Sequence, residues 1–94
     1  MKYWLVEWLH SFRDEPIKIY SEMDDERNEL RKVEVYADGK VGYATAQVEV
    51  GDTRLSLYPL PELEEIAIDP EFRPKEISKE EFDIVWIEKV IKKG

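Results

Sequence analysis

Alternating apolar and polar positions in the first half of the chain predict a β-sheet. Residues 3–9 have apolar side chains on both sides of the alternation, which is typical of a central strand buried on both of its faces. Residues 17–22 alternate as a second strand, and Pro16 fits its start because a strand can begin at a residue that lacks an N–H group.

Two apolar-rich segments, 30–37 and 41–48, flank Asp38-Gly39 and predict a β-hairpin. A two-residue turn at that point would set Val35 opposite Gly42. The valines of the first segment would then share a face with the small residues of the second, and the tyrosines would lie on the other face.

A second hairpin is predicted at Gly51-Asp52, where Val48 would lie opposite Leu55 and two residues of opposite charge would face each other. With this hairpin the predicted sheet has about five antiparallel strands.

The second half of the chain predicts helices. Pro61 and the acidic residues that follow it are typical of a first helical turn, so residues 62–67 are predicted to form a short helix. Asp69-Pro70-Glu71-Phe72 is predicted to be a turn. Ser78 and Glu81 have the spacing of a capping box, which opens a helix to about Lys92 whose wide apolar face we expect to be mostly buried.

Strands followed by helices predict an α+β fold. We expect a single domain over residues 1–94, with an antiparallel sheet of about five strands and the short and C-terminal helices packed on one face.

Charge and composition exclude several classes of protein. The 94 residues include 14 Lys and Arg against 22 Asp and Glu, a formal net charge of −8, which argues against nucleic-acid binding. The absence of Cys excludes disulfides and thiolate metal sites, and one His excludes a multi-histidine metal centre. No segment has the length of apolar sequence that a membrane span or a signal peptide needs, so a cytoplasmic protein that does not bind membranes is expected.

His10 and Glu7 are the first candidate functional residues. His10 ends the first strand beside Trp8, and it is either hydrogen-bonded to backbone or part of a recognition site. Glu7 lies between apolar residues of a strand taken as central, so its carboxylate would need a cationic partner, such as Lys18 or Arg31, or would face a ligand.

An acidic segment follows the second strand. Three interpretations are open: a solvated loop, a recognition surface for a basic partner, or a site for a hard cation, although the spacing differs from that of a calcium-binding loop. The candidate residues of this segment and its continuation are Glu22, Asp24, Arg27, Glu29 and Arg31.

A pocket between sheet and helix is an alternative site. Arg31 could pair with an anionic group of a small ligand there, with Trp8, His10 and Tyr43 as further lining residues. The four glycines form no phosphate-binding loop and no serine lies in a nucleophile elbow, so we expect neither a catalytic site nor a cofactor.

Several segments together resemble a known family over nearly the whole chain, domain of unknown function 6881, which comprises small bacterial proteins. The most specific parts are Trp8-Leu9-His10, at the end of the segment Tyr3 to His10, and Arg31-Lys32-Val33-Glu34, which follows Glu29-Leu30. The others are Glu15 to Glu22, Asp25-Glu26-Arg27, Asp38-Gly39, Gly42-Tyr43-Ala44, Thr53-Arg54-Leu55, Leu60-Pro61 and Glu64-Glu65-Ile66, with Phe82 and Trp86. The resemblance implies no activity and therefore no catalytic residue.

Two functions from different classes stay open. The first is a non-enzymatic protein-binding module, for example an immunity protein or inhibitor that covers a basic partner. The second is a small-ligand or sequestering domain with an anionic ligand near Arg31. We expect a monomer or a homodimer formed through an edge strand of the sheet.

Overall fold

The computed structural model describes residues 1–92 and contains an antiparallel six-stranded sheet. The strands are β1 (Lys2–Trp8), β2 (Lys18–Met23), β3 (Glu29–Val35), β4 (Val41–Ala44), β5 (Glu49–Val50) and β6 (Phe72–Glu76). The sheet has the spatial order β5-β4-β3-β2-β1-β6, which makes β1 an interior strand as predicted. The predicted α+β class is confirmed, with six strands where about five were expected.

Two helical elements cover opposite faces of this sheet, whereas both were expected on one face; they differ because the chain crosses the sheet on one face before the short helix and packs the C-terminal helix on the other. Helix α2 (Lys79–Val85) continues as a π-helical segment, Trp86–Ile91, and packs on the face of Tyr3, whose ring centroid lies 5.5 Å from that of Phe82. We call this the helix face. Because successive residues of a strand point to opposite faces, Trp4 lies on the other face, beneath the segment 51–69 and helix α1 (Leu63–Ile66). We call this the groove face.

The hairpin predicted at Asp38-Gly39 forms, but the predicted register is wrong by one residue. Val35 pairs with Val41 and Glu34 pairs with Gly42. The loop has three residues because only Gly39 takes the left-handed conformation, with φ of 90°, whereas a two-residue type I′ turn needs positive φ at both positions. One extra loop residue moves the partner side chains to the other face, so Tyr43 shares the helix face with the valines.

The hairpin predicted at Gly51-Asp52 does not form. β5 pairs with β4 instead, Glu49 opposite Ala44, after a turn in which the Thr45 hydroxyl accepts hydrogen bonds from the backbone N–H groups of Gln47 and Val48. After Gly51 the chain leaves the sheet and crosses the groove face, so Val48 and Leu55 are not strand partners.

The sixth strand was not predicted. The turn at Asp69 forms as expected, with the carboxylate accepting the N–H of Glu71, but the chain then continues as β6 alongside β1. Pro74 lies opposite Val6 within this edge strand. A proline is compatible with an edge because its missing N–H would point to solvent.

The C-terminal helix begins as predicted and differs in its exposed surface. Ser78 and Glu81 form the expected capping box. The apolar face is only partly buried: Phe82 is fully buried, whereas Ile84, Ile87 and Ile91 are 59%, 44% and 62% exposed. The expectation of a mostly buried face was therefore wrong, because the helix is covered by the sheet on one side alone.

Both edges of the sheet are poor templates for a further strand. β5 has two residues. In β6 the N–H of Phe72 already donates to the carbonyl of Asp69, and Pro74 has no N–H to offer. Short edges and prolines are devices that prevent edge-to-edge association. Within residues 1–92, no helix is both long and apolar enough to cross a membrane.

Candidate functional site

The groove face has an open apolar cleft of about 400 Å³, which we call the groove. Its floor is the sheet and its roof is the segment 60–69, which includes α1. This volume lies in the range of about 300–1,000 Å³ that is typical of ligand sites. The floor residues are Trp4, Val6, Ile19, Ser21, Glu29, Lys32 and Phe72, and the roof residues are Leu60, Pro61, Glu65, Ile66 and Asp69.

The floor follows from strand alternation. Trp4 and Val6 are alternate residues of β1, Ile19 lies opposite Val6 on β2, and Phe72 lies opposite Trp8 on β6. Trp4 is buried, whereas the other three are half-buried. The roof stands away from these side chains, which leaves apolar surface open to a partner.

Residues 51–59, which we call the crossing segment, lead from β5 to the roof. They have little secondary structure and are held by side chains of β3. The Thr53 hydroxyl donates to Glu34 at 2.7 Å, and Lys32 Nζ donates to the carbonyl of Arg54 at 3.0 Å. The N–H of Ser56 donates to Glu29 at 2.6 Å. These bonds replace the ladder of a regular strand and fix the path of the segment.

Arg27 holds the start of the roof. Its backbone carbonyl accepts the N–H of Leu60 at 2.9 Å, its Nε donates to the carbonyl of Leu60 at 2.8 Å, and Nη1 lies 2.8 Å from Glu62. Arg27 adopts φ of 66°, which is strained for a residue other than glycine. Arg27 is thus a positioning residue of the groove.

Glu29 is the most buried carboxylate of this network, with a side chain 1% exposed. It accepts hydrogen bonds from the Ser21 hydroxyl at 2.8 Å and from the Ser56 N–H, and Lys32 Nζ lies 3.1 Å away. The charge is therefore fully compensated inside the protein. Glu29 joins two strands of the sheet to the segment that leads to the roof.

The mouth of the groove is acidic. No Lys, Arg or His occurs from Leu55 to Phe72, whereas this stretch contains five acidic residues. Glu65 and Asp69 line the groove itself and are exposed. In the part of the chain that the structure describes, Glu62 is paired with Arg27, and no other acidic residue of this stretch forms an ion pair. The other four are Glu64, Glu65, Asp69 and Glu71.

Arg31 and Glu22 lie on the helix face. Two nitrogens of Arg31 donate to the Glu22 carboxylate at 2.7 and 2.9 Å, and Nη2 lies 3.6 Å from Asp83. The guanidinium also lies within 4.8 Å of the ring centroids of Phe82 and Trp86, a cation–π distance. Arg31 therefore binds the helix to the sheet.

The electrostatics of this cluster follow from the same contacts. Hydrogen bonds from Arg31 hold the pKa of Glu22 below its usual value. Burial, and after it the neighbouring Glu22 carboxylate, raise the pKa of Tyr3. The cluster thus favours a charged Glu22 beside a neutral Tyr3.

The residues of the alternative pocket are not brought together. Tyr43 packs edge-on against Trp86 at 5.8 Å on the helix face, near Arg31. Trp8 lies on the groove face, where its ring stands 5.6 Å from Phe72. The sheet therefore separates Arg31 and Tyr43 from Trp8, the neighbour of His10.

His10 has backbone partners at both ring nitrogens. Nδ1 accepts the N–H of Phe12 at 2.9 Å, so Nε2 carries the proton and donates to the carbonyl of Pro16 at 2.8 Å. The ring also lies 4.5 Å from that of Trp8. These bonds give His10 a structural part in the loop that joins β1 to β2.

The remaining acidic candidates have local roles. Asp24 accepts the N–H groups of Glu26 and Asn28, which closes the turn between β2 and β3, and these bonds lower its pKa. Glu7 is half-buried opposite Lys18, so the fully buried position expected for it was wrong. Within residues 1–92, no group of three or more acidic, His or Cys side chains is arranged to hold a metal ion.

Two residues that hold the roof were among the predicted binding residues, whereas the groove itself was not predicted. Arg27 and Glu29 were candidates, but Trp4, Ile66 and Phe72 were not. The available signals were the apolar side chains on both faces of the first strand and the purely acidic stretch from Leu55 to Phe72.

Comparison with known proteins identifies a family. A family model described as domain of unknown function (DUF6881) matches residues 2–91. Searches of curated proteins and of solved structures found no match.

Proposed function

The chain belongs to the family of domain of unknown function 6881, so we propose a function from the geometry of the groove. We propose that the protein is a non-enzymatic module that binds a basic protein partner. The observation behind the proposal is an open apolar cleft whose mouth is lined by unneutralised carboxylates. An immunity protein or an inhibitor of a basic protein is one form that such a module takes.

Two features of the groove support a protein partner. Its walls are largely apolar, and apolar pockets are where the binding energy of protein interfaces concentrates. The net charge of −8, together with the acidic mouth, would speed the approach of a positively charged surface and reject acidic proteins. A cytoplasmic location remains part of this proposal.

The alternative of an anionic small ligand near Arg31 has less support. The guanidinium already donates to Glu22, contacts Asp83 and lies over two aromatic rings. An anion there would have to compete with Glu22 and Asp83 for the guanidinium.

The test uses the tagged protein as bait in an extract of its source, with elution by rising salt between about 50 and 200 mM, where screening of exposed charges changes strongly. We expect a stoichiometric basic protein that salt releases. Two groove variants, Ile66→Glu and Ile66→Trp, should lose it, because one adds a charge to the apolar wall and the other fills the space.

The matched control is Ile68→Glu, which makes the same change at an isoleucine that is 81% exposed and does not line the groove. It should retain the partner. A partner that binds the Ile66 variants as well as the native protein, or that binds independently of salt, would contradict the proposal.

A further inference from the structure

The arrangement of apolar floor and acidic mouth indicates what a partner must present. Resting on the proposed function, we infer that the groove recognises an apolar side chain with an Arg or Lys next to it in the partner's sequence. The apolar side chain would pack on Val6, Ile19 and Phe72, and the cation would lie at Glu65 and Asp69.

The apolar half of the motif follows from the floor. Val6, Ile19 and Phe72 are only half-buried although they lie on a covered face of the sheet. Filling the groove with an apolar side chain would remove this surface from water without leaving a polar group unpaired, since the Ser21 hydroxyl and both oxygens of Glu29 already have partners.

The cationic half follows from the roof. Glu65 belongs to α1 and Asp69 to the turn after it, and both line the same groove. Neither forms an ion pair within residues 1–92, whereas Glu62, three positions before Glu65, is paired with Arg27. A guanidinium or ammonium beside a seated side chain would meet two carboxylates at the mouth that have no cationic partner within residues 1–92, although Asp69 also accepts the N–H of Glu71.

The roof can discriminate in this way because it is held in place. Arg27 fixes Leu60 and Glu62 through three contacts, so the mouth need not be ordered by the partner. Preorganised sites lose less conformational entropy on binding.

The test compares three capped pentapeptides with the same central Leu, flanked on both sides by Arg, Gln or Glu. Binding to the ¹⁵N-labelled full chain is measured at low salt from amide shifts of Val6, Ile19 and Ile66. Exposed ion pairs contribute about 0.2–1 kcal/mol each, so two of them should make the Arg peptide bind about 2- to 30-fold more tightly than the Gln peptide. The Glu peptide should bind most weakly.

Two double variants assign the charge effect to the mouth. Glu65→Gln with Asp69→Asn should abolish the advantage of the Arg peptide and leave binding of the Gln peptide unchanged. Glu80→Gln with Glu88→Gln removes the same number of charges from exposed positions of the C-terminal helix and should preserve the advantage.

The outcomes separate the inference from the proposed function. Equal binding of the Arg and Gln peptides in the groove, or an advantage that the helix variant also loses, would overturn the inferred motif while leaving the groove as a binding site. If none of the peptides shifts the groove amides, the inferred motif is overturned, and the proposed function then depends on the Ile66 capture experiment alone.

Discussion

Glu29 should be among the most costly single residues of this protein to remove. Its carboxylate is 1% exposed and joins β2, β3 and the crossing segment through Ser21, Lys32 and Ser56. Replacement by alanine leaves the Lys32 ammonium, whose side chain is 16% exposed, without its counter-ion. The expected perturbation is thus the loss of a buried pair and of two further hydrogen bonds.

The magnitude follows from these contacts. Removing one partner of a buried ion pair costs about 3–5 kcal/mol, and hydrogen bonds to charged groups contribute about 1.5–3 kcal/mol each. Ser56 is exposed, and its N–H can bond to water in the variant, so the lower end applies. We expect Glu29→Ala to lower the free energy of unfolding by about 3 kcal/mol, and Glu29→Gln by roughly half as much.

Urea denaturation measures this loss. With a slope of about 1–1.5 kcal/mol per M for a small chain, the midpoint should fall by about 2–3 M. Lys32→Met completes a double-mutant cycle in which the coupling energy should be at least about 1.5 kcal/mol. Glu64→Ala, at an exposed position, should stay within about 0.5 kcal/mol of the native protein. A Glu29→Ala loss below about 1 kcal/mol, or a coupling near zero, would refute the account of the network.

Three further predictions concern other contacts. Because Arg31 lowers the pKa of Glu22 in the folded state, that ion pair contributes stability above the usual carboxyl pKa and loses it as pH falls through the lower, folded value. The urea stability of Glu22→Gln should therefore fall less steeply on acidification than that of the native protein, and parallel curves would contradict this. Gly42→Ala should cost about 1–3 kcal/mol, because its Cβ would collide with the Thr53 hydroxyl and approach the Val50 carbonyl. Calorimetry should show a lower Tm. Thr53→Ala, which loses the hydrogen bond to Glu34, should lower the Tm less in this variant than in the native protein because it also relieves the collision, and equal losses in both would contradict this. Pro74→Thr gives β6 an outward N–H and should produce concentration-dependent association in light scattering, whereas an unchanged mass at all concentrations would show that Pro74 does not protect the edge.

Local sequence signals predicted the elements better than their pairing. The capping box at Ser78 and the hairpin at Asp38-Gly39 are determined by residues close in sequence, and both form. The hairpin register depends on loop length, which the Asp-Gly pair does not determine. The loop takes three residues, so every facing pair moves by one.

The sixth strand illustrates a signal that is absent from local sequence. Arg73-Pro74-Lys75-Glu76 is polar and contains proline, features that argue against a strand in isolation. It becomes a strand because β1, more than sixty residues earlier, offers it a free edge. Only the tertiary structure supplies that information.

The candidate site, like the fold, could be predicted from the sequence only in part. Glu22 and Glu29 were candidates as members of an acidic segment, and their burial was not predicted. Their grouping was not detectable, because a register shift at Glu22 and Met23 changes the pairing and Glu22 and Glu29 lie on opposite faces of the sheet. The groove depends on the crossing segment, whose path is set by side chains rather than by a ladder of backbone bonds.

Whether the groove binds the partner can be measured by mapping a captured partner on the ¹⁵N-labelled protein by amide chemical shifts. We expect shifts concentrated at the groove, at Val6, Ile19 and Ile66, that diminish as salt is raised. Shifts confined to the exposed isoleucines of the C-terminal helix, Ile84 and Ile87, with the groove unchanged, would contradict the proposed function.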